Sequence, residues 1–380
     1  MTNKIDKSLY KVHTENTNDI SVIIYSSDIY KLRECLSKDY SNIMTFDFIS
    51  ALGVKIKNND INKISKLNIV NYITSVSSVK YNIHIAKNII HYDNIKYISQ
   101  KYKNKTIAII DTGVYPHIDF VLGKNRILKF VDLISNKSTP YDDNGHGTFV
   151  AGLVGAKDIS NVGYFDGVER DANFVIIKAL DSKGETDSLK ILEAMQYVID
   201  SKDELNIGVV CMSFGSVPLG ENDPLVIGSE ILWNNGIVVV AAAGNSGPNE
   251  STIKAPGVTS KIITVGALDD DRNNDFYNFQ VATFSSRGPA FNRYKPDLIV
   301  SGVDVISTAR FSEDNSFYTR MSGTSVSTPI VAGVVLKLLK HNNYSPDQIK
   351  YMLTNSTTPI VFDRNSEGWG VLNLDKLNLL

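Results

Sequence analysis

A serine stands at the start of a strongly apolar run. In GTSVSTPIVAGVV, residues 323 to 335, Ser325 has hydroxyl residues close to it on both sides. Ser and Thr are favoured at helix N-termini and Pro is tolerated in the first turn, so the segment predicts a helix that begins near Ser325. Unpaired N–H groups and the positive end of the helix dipole lie there, where they stabilise the oxyanion of an acyl transfer. Ser325 is therefore a candidate nucleophile, and a plain helix cap is the alternative.

Three further polar residues have types that would complete such a site. Asp111 closes the apolar run TIAIID, His146 lies between two glycines in YDDNGHGTFVAG, and Asn245 follows the run IVVVAAAG. A serine nucleophile needs a base, which a carboxylate-oriented imidazole supplies, and an asparagine amide donates to an oxyanion. Each residue alone also fits an ordinary turn or capping role. Their joint occurrence predicts nucleophilic catalysis.

These residues must be positioned by the elements that carry them. Short apolar runs rich in Val and Ile recur along the chain: TIAIID, NFVIIKAL, IGVVCMSFG, GIVVVAAAGN and KIITVGAL. Such runs are typical of strands buried on both faces of a parallel sheet. Stretches such as SLKILEAMQYVIDSK and DPLVIGSEILWNNG between them predict helices. The alternation predicts an α/β fold with a doubly wound, mostly parallel sheet, whose reactive groups gather at the carboxyl ends of the strands.

The first 80 residues have a different pattern. ISVIIYS, NIMTFDFIS, ALGVKIK and VNYITSVSSVKY predict strands, and YKLRECLSK and NDINKISKL predict helices. The order βαββαβ predicts a small α+β, ferredoxin-like domain over residues 1–80, the N-terminal domain. Residues 81–380 then form the second domain, and we interpret its polar first part, 81–105, as a connector.

The overall charge argues against polyanionic partners. The chain has 39 Lys and Arg against 41 Asp and Glu, a net charge of -2, and no basic tract, so we expect neither a nucleic-acid nor a membrane partner. Cys35 and Cys211 are too few for a disulfide framework, and a buried thiol is expected for Cys211. The first twenty residues lack a signal-peptide core. We expect a cytoplasmic protein, or a secreted one if a leader was removed.

Four motifs together resemble those of a known family. DTG, GHGTFVAG, AAAGNSG and GTSVSTP, in that order, resemble the motifs of subtilisin-like serine peptidases, the subtilases. The expected absence of a leader and of disulfides favours the intracellular Gram-positive type of this family. The chain order Asp, His, Ser is the order known for subtilisin. The resemblance covers residues 105–380, and residues 19–83 resemble the family's inhibitory propeptide. It implies a serine endopeptidase made as a self-inhibited zymogen that hydrolyses peptide or protein substrates.

Two other functions fit the sequence less well than a peptidase does. A catalytically silent pseudopeptidase that acts as a scaffold or inhibitor would keep the fold, but all four chemical groups are present. A nucleotide-binding module would need a phosphate loop, and GxGxxG and GxxxxGK[ST] are both absent from the sequence.

The resemblance assigns a role to each site residue. It makes Ser325 the nucleophile, His146 the base and later the acid, and Asp111 the group that orients the imidazole. Asn245 and the backbone N–H of Ser325 would bind the oxyanion. The implied substrate-binding residues are Ser213, Phe214, Gly215, Ala242, Gly244 and Lys254.

Three positions differ from the usual family pattern or leave a question open. Lys254, in STIKAPG, falls where the floor of the primary specificity pocket is expected; pointing inward it would favour an acidic or hydrogen-bonding substrate side chain, and pointing to solvent it would have no role. Val326 replaces the methionine of secreted subtilisins, which predicts activity that survives peroxide. The chemistry needs no cofactor. Structural Ca²⁺ is an open expectation, since Asp119 matches one ligand but loop 157–167 does not clearly supply the others.

The N-terminal domain is expected to act as an intramolecular inhibitor. Its last strand and tail would lie in the active-site groove like a product until they are cleaved, between Ser77 and Lys87. Residues 1–80 carry 11 basic and 8 acidic groups, net +3, and the remainder carries 28 and 33, net -5. These opposite signs favour docking modestly and in a salt-sensitive way.

Overall fold

The computed structural model describes residues 4–6, 9, 19–76, 78–80, 98–102, 104–159, 166–270, 279–310 and 317–377 of the chain. Its strands are β1 Asp19–Ser26, β2 Met44–Phe46, β3 Ala51–Lys57, β4 Val70–Ser75, β5 Ser78–Lys80, β6 Thr106–Asp111, β7 Ile127–Asp132, β8 Asn173–Lys178, β9 Glu185–Asp187, β10 Ile207–Met212, β11 Val238–Ala242, β12 Ile263–Asp269, β13 Gln280–Val281, β14 Leu298–Ser301, β15 Val305–Thr308, β16 Tyr318–Met321, β17 Thr357–Thr358 and β18 Val371–Leu372.

The α-helices are α1 Ile29–Leu36, α2 Ile61–Ser65, α3 Ile118–Val121, α4 His146–Gly155, α5 Ser188–Ser201, α6 Pro224–Asn234, α7 Thr324–His341, α8 Pro346–Asn355 and α9 Arg364–Glu367. Short 3₁₀ helices cover Asp47–Ile49, Asn58–Asp60 and Leu374–Lys376. None of the helices in the described ranges combines the length and the apolar character that crossing a membrane requires.

The strands of the N-terminal domain form an antiparallel sheet in the order β2-β3-β1-β4. Alternate residues of β1, such as Val22 and Ile24, are buried with Leu32 and Leu36 of α1 in a core of their own. The strand predicted over 42–50 is shorter, because Asp47–Ile49 turns into a 3₁₀ helix that ends at Ser50 in the left-handed region. The predicted last strand divides into β4 and β5, and β5 leaves the sheet.

The main sheet has the order β17-β18-β14-β12-β11-β10-β6-β8-β7 in the described residues, with β13 paired to β12. Its pairings from β7 through β14 to β18 are parallel, and the β12–β13 and β17–β18 pairings are antiparallel. From β6 the chain adds β7 and β8 on one side and later β10, β11, β12 and β14 on the other. This confirms the doubly wound α/β prediction. The switch in direction occurs at the strand that carries Asp111.

Helix α7 lies against the sheet and positions Ser325. It packs on β10, β11, β12 and β14, and its residues from Thr324 to Lys340 are buried. A helix that is apolar on most of its surface is expected to be enclosed in this way. Its first turn lies beside Gly244, which follows the carboxyl end of β11.

The N-terminal domain rests on helices α5 and α6. The Phe48 N–H donates to Oε1 of Gln196 at 3.3 Å, and the Tyr25 hydroxyl donates to the Asn222 carbonyl at 3.3 Å. A methyl group built on Gly53 would lie 2.3 Å from Cδ2 of Leu189, so the two surfaces meet without a gap. Apolar residues of the first sheet thereby extend the core of the second domain.

Both cysteines carry free thiols. Cys211 lies in β10, and burial raises the pKa of its thiol to about 12. A thiol held in its neutral form is a poor nucleophile, which agrees with the inert role expected from the sequence.

Candidate active site

Asp111 and His146 form a buried hydrogen-bonded pair. Asp111 is the last residue of β6 and His146 the first of α4, and Nδ1 of the imidazole donates to Oδ1 of the carboxylate at 2.7 Å. The Thr112 N–H donates to the same oxygen at 2.7 Å. Because an ionised carboxylate only accepts, Nδ1 carries the proton, and Nε2 is the basic nitrogen.

A second carboxylate, Asp142, fixes the loop and helix that carry His146. Its oxygens accept from the N–H groups of Asn144, Gly145 and Thr148 and from the hydroxyl of Thr148. The Thr112 hydroxyl also donates to Asp142, at 3.0 Å, and accepts from Gly147 N–H. Asp142 thus connects the residue after Asp111 with the first turn of α4.

Lys178 also stabilises the region around Asp111 and the loop before α4. It is fully buried, and its ammonium donates to the carbonyls of Thr112 and Leu180 and to Oδ1 of Asp143 at 2.7 to 3.0 Å. The Asp111 carbonyl accepts from the N–H of Leu180 at 3.2 Å. Asp142 and Lys178 escaped the sequence analysis. An aspartate four residues before the histidine and a lysine within NFVIIKAL are the signals that point to them.

Ser325 occupies the first turn of α7 and is 3% exposed. Its hydroxyl makes no hydrogen bond within the described part of the chain, so the structure joins His146 to Asp111 but not to Ser325. Hydrogen bonds between nucleophile and base are often long without substrate and shorten when the substrate binds.

Asn245 is anchored to the start of the same helix. Its Oδ1 accepts from the N–H and the hydroxyl of Thr324, each at 2.9 Å, and the Gly244 N–H donates to that hydroxyl at 3.1 Å. With its oxygen held by Thr324, the side chain has its NH₂ group as the donor for an oxyanion next to Ser325.

The predicted substrate-binding residues follow two neighbouring strands. Ser213 and Phe214 come directly after β10 and are buried, and Ala242 is the buried last residue of β11. Gly215 and Gly244 are half-exposed. A methyl group on Gly215 would lie 2.5 Å from Cβ of Lys254, and one on Gly244 would lie 2.4 Å from its Cγ. The stem of Lys254 therefore lies between these two glycines.

The strand that pairs with the tail of the N-terminal domain was not predicted from the sequence. Strand β5 pairs antiparallel with β9, and Ser78, Val79 and Lys80 lie opposite Asp187, Thr186 and Glu185. The segment ETD carries no apolar alternation that predicts a strand. Among the described residues β9 pairs with β5 in a separate two-stranded sheet, and that pairing is what identifies it as a strand.

In the part of the chain that the structure describes, Asp119 is not surrounded by the oxygen ligands of a calcium site. Its Oδ1 accepts from the Ile159 N–H and its Oδ2 from the Tyr318 hydroxyl, both at 2.8 Å, and the residue is buried. No cluster of three or more potential metal ligands occurs in the described residues. Since Ca²⁺ takes six to eight oxygen ligands, the described surroundings of Asp119 do not fit the ion. Residues 160–165 of the predicted calcium loop lie outside the described residues.

Comparison with known proteins places this geometry in context. The sequence profile of the Subtilase family matches residues 102–371. The chain is 40% identical to "Serine protease AprX" of Bacillus subtilis (strain 168) over 294 residues, which are 72% of this chain and 66% of that protein. "Thermophilic serine proteinase" of Bacillus sp. (strain AK1) is 35% identical over 237 residues, 61% of this chain and 51% of that protein. "Subtilisin DY" of Bacillus licheniformis is 31% identical over 302 residues, 78% of this chain and 98% of that protein.

Proposed function

Since the chain belongs to the subtilase family, we propose that it is a serine endopeptidase that forms an acyl-enzyme on Ser325. The observation that carries this proposal is the buried 2.7 Å hydrogen bond between Asp111 and His146. A fixed, correctly protonated imidazole is what converts a serine hydroxyl into a nucleophile.

The acylation step uses His146 twice. The Ser325 Oγ attacks the carbonyl carbon of the scissile bond, and Nε2 of His146 takes the hydroxyl proton. When the tetrahedral intermediate collapses, the C–N bond breaks and the imidazolium gives that proton to the leaving amine. The acyl group remains as an ester on Ser325. Asp111 stays ionised and stabilises the imidazolium.

In deacylation water is the nucleophile and the Ser325 oxygen is the leaving group. Water attacks the ester carbon and gives a proton to Nε2 of His146, and a second tetrahedral intermediate forms. Its C–O bond to Ser325 then breaks, the carboxyl product leaves, and the proton returns to the serine oxygen. In both steps the NH₂ group of Asn245 and the N–H of Ser325 would donate to the oxyanion.

The N-terminal domain acts as an inhibitor in this proposal. The β5–β9 pairing supports the inhibitory role, because backbone pairing of an extended segment with a strand of the second domain resembles the binding of a peptide. The packing on α5 and α6 supports it further. Release would follow autocleavage between Ser77 and Lys87. Ser77 and residues 81–87 of that range lie outside the described residues. The cytoplasmic location and the intracellular type remain predictions.

Covalent labelling tests the proposed nucleophile. A fluorophosphonate probe is expected to label the wild-type chain on Ser325 and to leave Ser325→Ala unlabelled. The wild-type chain is expected to shorten from 42.0 kDa at its N-terminus and to hydrolyse a denatured protein, whereas Ser325→Ala stays at full length and inactive. A wild-type chain that is folded by circular dichroism yet shows neither labelling nor hydrolysis would contradict the proposal.

Asn245→Ala tests the oxyanion donor separately. Loss of one such donor lowers kcat by roughly 100- to 1,000-fold, with little change in KM; the known case is an asparagine of subtilisin. Fluorophosphonate titration supplies the concentration of intact sites for this comparison. A kcat within about twofold of wild type would exclude Asn245 from this role.

A further inference from the structure

The side chain of Lys254 begins between the two segments that carry the candidate substrate-binding residues. Its N–H donates to the Ala243 carbonyl at 2.9 Å, and the next residue, Ala255, donates to the Ser216 carbonyl at 2.9 Å. These backbone bonds tie Lys254 to the segment after β11 and its neighbour to the segment after β10. The side chain starts between Gly215 and Gly244, whose missing side chains leave room for it.

This position is close to the reacting centre. The Gly244 N–H donates to the hydroxyl of Thr324, which precedes Ser325, and Asn245 follows Gly244. A substrate whose carbonyl lies at Ser325 and Asn245 would direct the side chain before the scissile bond between the segments 213–215 and 242–244. The stem of Lys254 lines that space.

Lys254 differs from the buried lysines in its charge environment. Lys178, Lys295 and Lys340 each have a carboxylate within 3.3 Å. Lys254 is half-buried, and its ammonium has no ion pair or hydrogen bond with any residue in the described ranges. Burial lowers the pKa of its ammonium. A partly desolvated cation without a counter-charge gains from binding an anion.

We propose that Lys254 makes the enzyme prefer substrates with Asp or Glu immediately before the scissile bond; this inference rests on the proposed peptidase function. The substrate carboxylate would supply the counter-charge that the described residues lack. Glutamine at that position would still accept a hydrogen bond but would not neutralise the ammonium, and a lysine would be repelled.

Matched peptides that differ only at that residue test the inference. The protein is produced as the full chain, and rates are measured after its autoprocessing. They are normalised to the concentration of sites titrated with fluorophosphonate. Wild type is expected to show kcat/KM roughly 10- to 100-fold higher for Glu than for Gln, since a charge pair in a partly desolvated site is worth that much. Raising the salt concentration should reduce the ratio.

Two variants of Lys254 and one control complete the experiment. Lys254→Met keeps the length and removes the charge, so the Glu/Gln ratio should fall to about one. Lys254→Glu should reverse the preference toward Lys. Lys261→Met removes a nearby lysine and should behave as wild type, since the Lys261 side chain has no hydrogen bond or ion pair with the site in the described ranges.

The outcomes separate the two claims. Active wild type without a preference for Glu, or Lys254→Met with an unchanged ratio, would overturn the role of Lys254 and leave the peptidase proposal standing. A folded wild type that hydrolyses none of the peptides and takes up no fluorophosphonate would overturn the proposed function, and this inference with it.

Discussion

The chemistry of single residues here depends on which of their atoms are already bonded. Nδ1 of His146 donates to Asp111, and Oδ1 of Asn245 accepts from Thr324. In each side chain the remaining nitrogen has the property that acyl transfer requires, a basic lone pair on one and N–H donors on the other. Replacing the residue that anchors His146 or Asn245 would therefore reduce activity even though His146 and Asn245 themselves are unchanged.

Val326 allows a prediction at the same scale. It follows Ser325, is buried, and has no thioether to oxidise. We expect peroxide to leave peptide hydrolysis by the wild type largely unchanged and to inactivate Val326→Met, because a sulfoxide would place a polar group beside the nucleophile. Hydrolysis and fluorophosphonate uptake are compared before and after treatment. Equal, rapid losses in both proteins would contradict this.

The motif residues could be located from the sequence because they occur together at strand and helix ends, although each alone also fits a turn or a cap. The direction of Lys254 could not, since a lysine in a loop fits solvent as well as a pocket. That direction depends on Gly215 and Gly244, which lie 39 and 10 residues away in the chain. The hydrogen-bond partners of Asp119 are also distant in the chain: Ile159 is 40 residues away and Tyr318 is 199 residues away.

At the scale of elements, the site depends on how β6 and α4 are joined. Asp142 accepts from the hydroxyl of the residue after β6, from two N–H groups just before α4 and from one in its first turn, where a negative charge is stabilised by the positive end of the helix dipole. The central strands β6, β8, β10, β11 and β12 were predictable from their apolar runs. The shortened β2 and the separate β5 were not, because tertiary packing and a remote pairing partner determine them.

Asp142→Asn tests this junction. An amide NH₂ would face N–H donors, so we expect the free energy of unfolding to fall by about 1–3 kcal/mol. We also expect kcat to fall more than KM changes, because the His146 position loosens. Denaturant unfolding and steady-state kinetics measure both. Asp203→Asn, at a carboxylate that is 96% exposed, is the matched control and should change stability by less than about 0.5 kcal/mol. Equal behaviour of the two variants would exclude the role of Asp142.

At the scale of the whole molecule, the contact region of the two domains contains a buried acid. Asp223 caps α6 beside Asn222, which accepts from Tyr25 of the N-terminal domain. Burial raises the pKa of Asp223 to about 6, from 3.8, and the Asp6 carboxylate adds to the increase, although N–H groups such as those of Leu219 and Leu225 oppose it. The folded chain therefore favours the protonated form of this acid.

The sign of the pH dependence follows from that shift. The contribution of Asp223 to stability is complete below about pH 4 and is lost as the pH rises through about 6. Asparagine is an equally good cap without the charge. The stability of Asp223→Asn relative to wild type should therefore increase by at most about 3 kcal/mol between pH 4 and pH 8. Denaturant unfolding of both proteins across this range measures it; a constant difference would contradict the prediction.

Under the proposed inhibition by the N-terminal domain, the pairing of β5 with β9 has a consequence for how the block depends on protein concentration. While the chain is intact, β5 is covalently linked to the domain that carries β9. Diluting the sample therefore leaves the fraction of paired β5 unchanged. Once the connection is cut, the same contact becomes an encounter between two molecules, and dilution favours the open edge. Hydrolysis of a single bond would thus convert a block that is independent of concentration into one whose strength depends on the protein concentration.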